Sequence, residues 1–174
     1  MTVGPVGFTG CVLASTDGWT SCDLGHQHWG RAGAAGLFLH RDGATGPEVL
    51  LQHRALWSHH GGTWGTPGGA LHAGEPPHVG ALRECREELG LTADDVVLGE
   101  RSVDDHGGWA YTTVLARPAR PIDARELRLD GESDGVGWWP LAELPALALH
   151  PGLAASLHRL RPLIGDTQGI PVQE

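Results

Sequence analysis

A chain of 174 residues with a hydrophobic fraction of 40% is large enough for one domain with a substantial core. Its formal net charge of −9 argues against a general basic surface for nucleic-acid polymers, although a small anionic substrate could still be held through metal ions. No apolar run approaches the length of a membrane span, and no basic region precedes the first apolar residues, so we expect neither a membrane partner nor a signal peptide. The three cysteines, Cys11, Cys22 and Cys85, are scattered without metal-ligand spacing, which favours a reducing, cytoplasmic location.

The first third of the chain predicts a weakly patterned extension followed by two paired strands. A short strand is expected in residues 3–14, and a loop or small hairpin in residues 15–28. The apolar stretches 32–40 and 48–54 are typical of buried strands, and the polar turn 41–47 between them favours a hairpin. Residues 55–63 then form a loop, and residues 64–67 a short strand.

Residues 76–90 predict a helix. Pro76 and Pro77 suit a first turn, and Gly90 suits a left-handed stop. An apolar stripe at helical spacing is expected to face the core; its members are Val79, Leu82, Cys85, the stem of Arg86, and Leu89.

Three carboxylates crowd one face of this helix, roughly opposite the apolar stripe. Glu84, Glu87 and Glu88 are spaced at i, i+3 and i+4, so their like charges repel one another. Spacing alone leaves two interpretations open: a solvated acidic face, or a site for a hard divalent cation such as Mg²⁺ or Mn²⁺. The glycine-rich loop before the helix favours the cation, because the Gly69 carbonyl could add a further oxygen ligand.

Elements predicted after the helix are strands at 96–103, 109–116 and 136–139, a loop-rich acidic segment at 118–134, a short helix beginning at 141–144, and a C-terminal helix at 151–163. A mobile tail is expected after residue 165. This order of elements favours a mixed sheet with helices on both faces, an α/β fold.

The stretch 69–91 resembles the Nudix box, G-x5-E-x7-R-E-U-x-E-E-x-G-U, in which U is a bulky apolar residue. The matching positions are Gly69, Glu75, Arg83, Glu84, Glu87, Glu88, Gly90 and Leu91, and Cys85 fills the first U. The resemblance implies an α/β/α sandwich with a mixed β-sheet. We expect it to span residues 30–165, with an N-terminal extension at 1–29 packed on the domain and a tail at 166–174.

The family also implies an activity and roles for particular residues. The activity is metal-dependent hydrolysis of a nucleoside diphosphate linked to another moiety, with Mg²⁺ as cofactor and Mn²⁺ as substitute. Glu84, Glu87, Glu88 and the Gly69 carbonyl would hold the metal. Glu75 and Arg83 would pair and fix the loop against the helix. Glu132, six residues before Trp138, resembles the loop glutamate of MutT-type members and is our candidate general base, with a plain acidic surface loop as the alternative.

Substrate contacts are expected from the strand and loop that precede the box. Arg54 lies at a MutT-like spacing before Pro67 and is a candidate phosphate or sugar ligand, although a surface ion pair would explain it equally well. His59 and His60 are candidate phosphate contacts, and Trp57 is a candidate for stacking on a base.

Three further stretches, 28–36, 52–69 and 149–156, are similar to actinobacterial MutT-like 8-oxo-dGTP diphosphatases. The base-recognising asparagine expected near the last helix is not evident around Leu149–Pro151. Hydrolysis of ADP-ribose or of a nucleotide sugar therefore stays an alternative, and so does a nucleotide-sensing domain without catalysis. The sequence leaves the oligomeric state open, a homodimer included.

Overall fold

A computed structural model describes residues 16–164 of the chain. The strands in these residues are β1 (Trp19–Ser21), β2 (Gln27–Trp29), β3 (Ala34–Gly43), β4 (Gly46–Arg54), β5 (Trp64–Gly65), β6 (Gly68–Ala70), β7 (Val96–Asp105), β8 (Ala110–Pro118) and β9 (Ser133–Pro140). The α-helices are α1 (Pro77–Leu89) and α2 (Pro151–Leu160), and short 3-10 helices cover Ala93–Asp95, Ala124–Glu126, Leu144–Ala146 and Arg161–Ile164.

Seven strands form one mixed sheet, and β1 and β2 form a separate antiparallel ribbon. The path through the large sheet is β5-β4-β3-β8-β7, with β6 also paired to β3 and β9 also paired to β4. The β3–β8 pairing is parallel, whereas the other described pairings are antiparallel. The predicted mixed sheet is therefore confirmed.

The sheet separates two apolar cores, one under each helix. Leu37 and Leu39 of β3 point to the same core as Cys85 and Leu89 of α1. Phe38, between those two leucines, points to the opposite core, under α2. This alternation follows from the two-residue period of a strand. The α/β/α sandwich is thus confirmed, and it places α1 directly on the strands that precede the box.

Helix α1 begins and ends as its sequence predicts, but the face that it turns to the core differs from the predicted apolar stripe. Gly90 has φ of 73° and donates its backbone N–H to the Arg86 carbonyl at 3.0 Å. Val79, predicted to face the core, is 43% exposed, whereas Gly80 and Glu88 are buried. A Cβ at Gly80 would lie 2.4 Å from Leu71 Cδ2, so glycine permits close approach of the box loop on that side. The prediction of an acidic face opposite the core was therefore wrong for Glu88.

Other boundaries differ by a few residues. Strands β3 and β4 continue into the predicted turn and pair as far as Gly43 and Gly46. The segment predicted as a loop or hairpin contains the β1–β2 hairpin. The helix expected to begin at 141–144 is the 3-10 turn Leu144–Ala146, and α2 ends at Leu160 before continuing as a 3-10 turn. The strand expected in residues 3–14 and the tail after residue 165 lie outside the described residues.

Within the described part of the chain, no helix has the length and apolar character needed to cross a membrane.

Candidate active site

A charged fork joins the box loop to helix α1. Arg83 donates from Nε to Glu75 Oε1 and from a terminal nitrogen to Glu75 Oε2, both at 2.9 Å. The same terminal nitrogen reaches the Ala70 carbonyl at 2.9 Å, and Glu75 Oε2 accepts the His72 N–H at 3.0 Å. The hydrogen bonds from Arg83 lower the pKa of the buried Glu75. This pair ties β6, the loop and the helix together.

Glu84 lies against the backbone of Gly69. A Cβ at residue 69 would fall 2.6 Å from the Glu84 carboxyl carbon, so only glycine allows this approach. Glu84 Oε1 also accepts a hydrogen bond from the other terminal nitrogen of Arg83 at 2.5 Å. Burial is the main cause of the raised pKa of Glu84, and the charges of Glu87 and Glu75 raise it further.

Glu88 is buried and held from two sides. Its Oε2 accepts a hydrogen bond from Gln52 Nε2 on β4 at 3.0 Å and from the Gly68 N–H on β6 at 2.9 Å. Ser133 of β9 donates to Gln52 Oε1 at 3.0 Å, which fixes the orientation of the amide. Burial raises the pKa of Glu88 to about 8, against the lowering effect of these hydrogen bonds.

Gln52 and Ser133 were not identified from the sequence as site residues. The available signal was an amide, Gln52, directly after the apolar run of β4, and the structure shows that this amide is fully buried. A buried amide needs partners: Gln52 donates from Nε2 to Glu88 and accepts at Oε1 from Ser133.

Glu87 completes the acidic group from the solvent side. Its side chain is 59% exposed, and its Oε2 lies 3.4 Å from a terminal nitrogen of Arg83. Glu84, Glu87, Glu88 and the Gly69 carbonyl supply only hard oxygen donors, as Mg²⁺ and Mn²⁺ require. Burial, and then the charges of neighbouring carboxylates, raise the pKa of Glu84 and of Glu88, and a bound divalent cation would offset both effects. The residues therefore fit such an ion.

The loop glutamate Glu132 lies at the surface. Its carbonyl accepts the Ala55 N–H at 2.8 Å, so its backbone borders the loop 55–63. Asp130 lies closer to the box: its charge contributes, after burial and the charge of Glu84, to the raised pKa of Glu88. Asp130 also donates its N–H to the Glu88 carbonyl at 3.2 Å and accepts the Glu132 N–H at 3.0 Å. Asp130 was missed because acidic residues are frequent throughout this segment.

A cluster of basic and imidazole side chains forms on the loop 55–63. Arg54 donates from Nε to the His59 carbonyl at 2.9 Å, which anchors the loop to the end of β4. One ligand nitrogen from each of His59, His60 and His150 lies within 4.8 Å of the others. His150, at the start of α2, was not predicted. Burial and then the neighbouring cations lower its pKa to about 4.

The tryptophans divide between exposed and packed positions. Trp57 is 71% exposed on the same loop, whereas Trp64 packs edge-on against Trp139 at 5.0 Å. Trp109 stacks on His28 at 3.8 Å. Of these aromatic side chains, only Trp57 is presented to solvent.

Comparisons with known proteins agree with this geometry. The model of the NUDIX domain matches residues 30–160, and the chain belongs to the Nudix family. It is 46% identical over 164 residues to a Mycobacterium tuberculosis (strain H37Rv) protein named "Putative 8-oxo-dGTP diphosphatase 3", covering 90% of this chain and 74% of that protein. It is 45% identical over 134 residues, 74% of this chain and 27% of the relative, to the nucleoside triphosphate pyrophosphatase/Nudix hydrolase fusion protein of Bifidobacterium longum.

A solved structure is also similar. The Nudix hydrolase RenU of Mycobacterium smegmatis superimposes with a TM-score of 0.77 at 40% identity, covering 91% of this chain and 99% of that one. The chain is thus a Nudix hydrolase of the MutT-like kind, with relatives named as diphosphatases.

Proposed function

We propose that this protein hydrolyses nucleoside di- and triphosphates at an inner phosphate, using Mg²⁺ or, as a substitute, Mn²⁺. One observation carries the proposal: three carboxylates of one helix border the same loop. Glu84 and Glu87 share a terminal nitrogen of Arg83, and Glu84 lies against the Gly69 backbone. Glu88 accepts the Gly68 N–H, and the Arg83–Glu75 pair holds the loop in place. A divalent cation bound there would neutralise phosphate charge and lower the pKa of an attacking water.

The chain's own residues supply positioning and proton handling. Hydrogen bonds from Gln52 and the Gly68 N–H orient the Glu88 carboxylate, and a hydrogen bond from Arg83 orients Glu84. Glu132 is proposed as the general base that takes the proton of the attacking water; Asp130 is the alternative, since its charge acts on Glu88.

Substrate binding is assigned to the other side of the Pro67–Gly69 turn. Arg54, His59 and His60 are proposed to contact the outer phosphates or the sugar, and His150 closes the same cluster. Trp57 offers an exposed ring for stacking on a base. The proposed small nucleotide is 8-oxo-dGTP, converted to 8-oxo-dGMP and pyrophosphate, because relatives carry that substrate in their names.

A substrate panel with Mg²⁺ tests the proposal. It should contain 8-oxo-dGTP, dGTP, 8-oxo-dGDP, ADP-ribose and a nucleotide sugar, with kcat/KM compared for each. We expect the highest value for an oxidised purine nucleotide. A preference for ADP-ribose or the nucleotide sugar would keep the chemistry and change the substrate. Tight nucleotide binding without turnover of any compound would identify a sensor.

Product analysis tests the bond that is cleaved. A triphosphate should yield the monophosphate and pyrophosphate, and a diphosphate should yield the monophosphate and phosphate. Early accumulation of nucleoside diphosphate with free phosphate would contradict attack at an inner phosphorus. Oxygen from ¹⁸O-labelled water should appear in one product only, which identifies the phosphorus attacked.

A further inference from the structure

A cluster of one thiol and three imidazoles lies where the β1–β2 hairpin meets the turn between β7 and β8. Cys22 and His26 flank the hairpin turn, His28 lies on β2, and His106 follows β7. Each of the four offers one ligand atom, and these atoms all lie within 4.8 Å of one another. Cys22 is a free, buried thiol.

Two ring nitrogens of this cluster are shielded from solvent and have no hydrogen-bond partner among the described residues. They are His28 Nε2 and His106 Nδ1. A buried ring nitrogen without a partner is costly, and each such group needs an explanation. Here both unpartnered nitrogens belong to the same cluster, as inward-facing ligand atoms would.

We propose that Cys22, His26, His28 and His106 form a closed, four-coordinate site for Zn²⁺. Zinc is the divalent ion that thiolate and imidazole donors suit best in a site without solvent positions. Zinc ligands in a tetrahedral site lie about 3.3–3.8 Å apart for bond lengths of about 2.0–2.3 Å. Because the ligand atoms all lie within 4.8 Å of one another, the donors need to move together by at most about 1–1.5 Å, which side-chain rotation can supply.

The surroundings of His106 match those of a metal-bound histidine. Its other ring nitrogen, Nε2, lies 3.4 Å from Asp104 Oδ2, and Asp104 is in turn paired with Arg159 of α2 at 2.8 Å. A carboxylate on the outer ring nitrogen orients a ligand imidazole and raises its basicity. The arrangement leaves Nδ1 of His106, which is buried and has no hydrogen-bond partner among the described residues, available as the ligand atom.

Backbone hydrogen bonds already join the β1–β2 hairpin, which carries three of the four ligands, to the turn after β7, which carries His106. Asp23 donates its N–H to the Gly107 carbonyl at 2.9 Å, and Cys22 donates to the His26 carbonyl at 3.0 Å. His28 is stacked on Trp109 at an interplanar angle of 7°, which fixes its ring plane. The site needs little ordering on binding, because its turn and one ring are already fixed.

The zinc site would fasten the hairpin to the catalytic domain. Three of its four ligands precede the residues that match the family model, so the ion would attach a segment outside that match. At the other end of the hairpin, Trp19 contacts the ring of His59 at 5.5 Å. Zinc would thus support the loop that carries the proposed substrate contacts while taking no part in the reaction.

Metal content of the full chain tests the site directly. Protein expressed with zinc and dialysed without chelator should retain about one Zn²⁺ per chain. Cys22→Ser and His106→Ala should each lose it. His158→Ala is the matched control, since His158 lies outside the cluster, and this variant should retain the ion. Circular dichroism of each variant verifies that the fold survives.

Cobalt substitution separates this site from the carboxylates of the box. Co²⁺ at a site with one thiolate should give a near-ultraviolet sulfur-to-metal charge-transfer band and the intense visible bands of tetrahedral coordination. Co²⁺ on carboxylates alone gives neither. The bands should be absent in Cys22→Ser, and Asp104→Asn should keep them while weakening zinc affinity about 10-fold to 100-fold.

Two results would overturn the proposal. One is purified protein that binds no zinc on titration and shows no charge-transfer band with Co²⁺. The other is a folded Cys22→Ser protein that retains zinc and the same spectrum as the parent. Because zinc content and the cobalt spectrum are measured without substrate, neither depends on the proposed hydrolase activity.

Discussion

Gln52 Nε2 donates to Glu88 Oε2 across 3.0 Å, joining a central strand to the catalytic helix through two buried side chains. Ser133 holds the other end of the amide. Without this bond the buried Glu88 carboxylate would keep only the Gly68 N–H of these two hydrogen-bond donors. The orientation of Glu88, a proposed metal ligand, thus depends on a residue outside the box.

Replacing Gln52 with Ala should therefore reduce activity without unfolding the protein. We expect kcat to fall about 10-fold to 100-fold, with more Mg²⁺ needed for half-maximal rate, because the partners of metal ligands contribute on this scale. Ser133→Ala is the matched control and should have a smaller effect in the same direction. Unchanged Mg²⁺ dependence in Gln52→Ala would contradict a positioning role.

Glu87→Gln and Glu88→Gln test the carboxylate cluster itself. Each removes one charge and preserves the side-chain shape, so the fold should survive while kcat falls by about 100-fold or more. Glu100→Gln on the exposed face of β7 is the control and should be neutral. Near-normal rates in both box variants would refute the assignment.

Glu75→Gln should affect stability more than chemistry. The substitution breaks a fork to a buried carboxylate, and a loss of about 1–3 kcal/mol in the free energy of unfolding is expected. Because the pKa of Glu75 is lowered in the folded state, this stabilisation is fully present above the unfolded pKa of about 4.3 and is lost as the pH falls through the folded pKa. Chemical denaturation of parent and variant should therefore converge in acid. A variant that is as stable as the parent but inactive would show that Glu75 acts in catalysis.

The general base is tested by comparing Glu132→Gln with Asp130→Asn. If Glu132 takes the proton, its variant should lose about 100-fold or more in kcat and lose the acid limb of the pH–rate profile. Asp130→Asn should then cost less, mainly through its contact with the Glu132 N–H. A larger loss in the Asp130 variant would transfer the role to that residue.

Metal removal gives a further prediction. Turnover should stop in excess chelator and return when Mg²⁺ or Mn²⁺ alone is added in excess, because the box offers only oxygen donors. Stronger recovery with zinc than with Mg²⁺ or Mn²⁺ in the Cys22→Ser variant, which lacks a ligand of the proposed zinc site, would contradict an oxygen-donor site in the box. Undiminished turnover in chelator would contradict metal dependence altogether.

Local spacing was sufficient to predict the box, its helix and the class of fold. The start of α1 at the prolines and its end at Gly90 depend on backbone geometry within a few residues, which a sequence displays directly. The alternating strands and the mixed sheet followed for the same reason, since strand periodicity is also local. The three glutamates share one side of α1 because covalent spacing alone sets their angular positions.

The environment of those glutamates was decided only by the tertiary structure. Spacing placed Glu88 opposite the core, yet packing of α1 on β3 and β6 buries it against Gln52, 36 residues away in sequence. The pKa of Glu88, the influence of Asp130 and the meeting of His106 with Cys22 arise from contacts between distant segments. Residue types and their order determined which chemical groups this protein has. The packing of distant segments determined which groups meet and how strongly they interact. Desolvation and charge–charge energies depend on distance in space and not on separation along the chain.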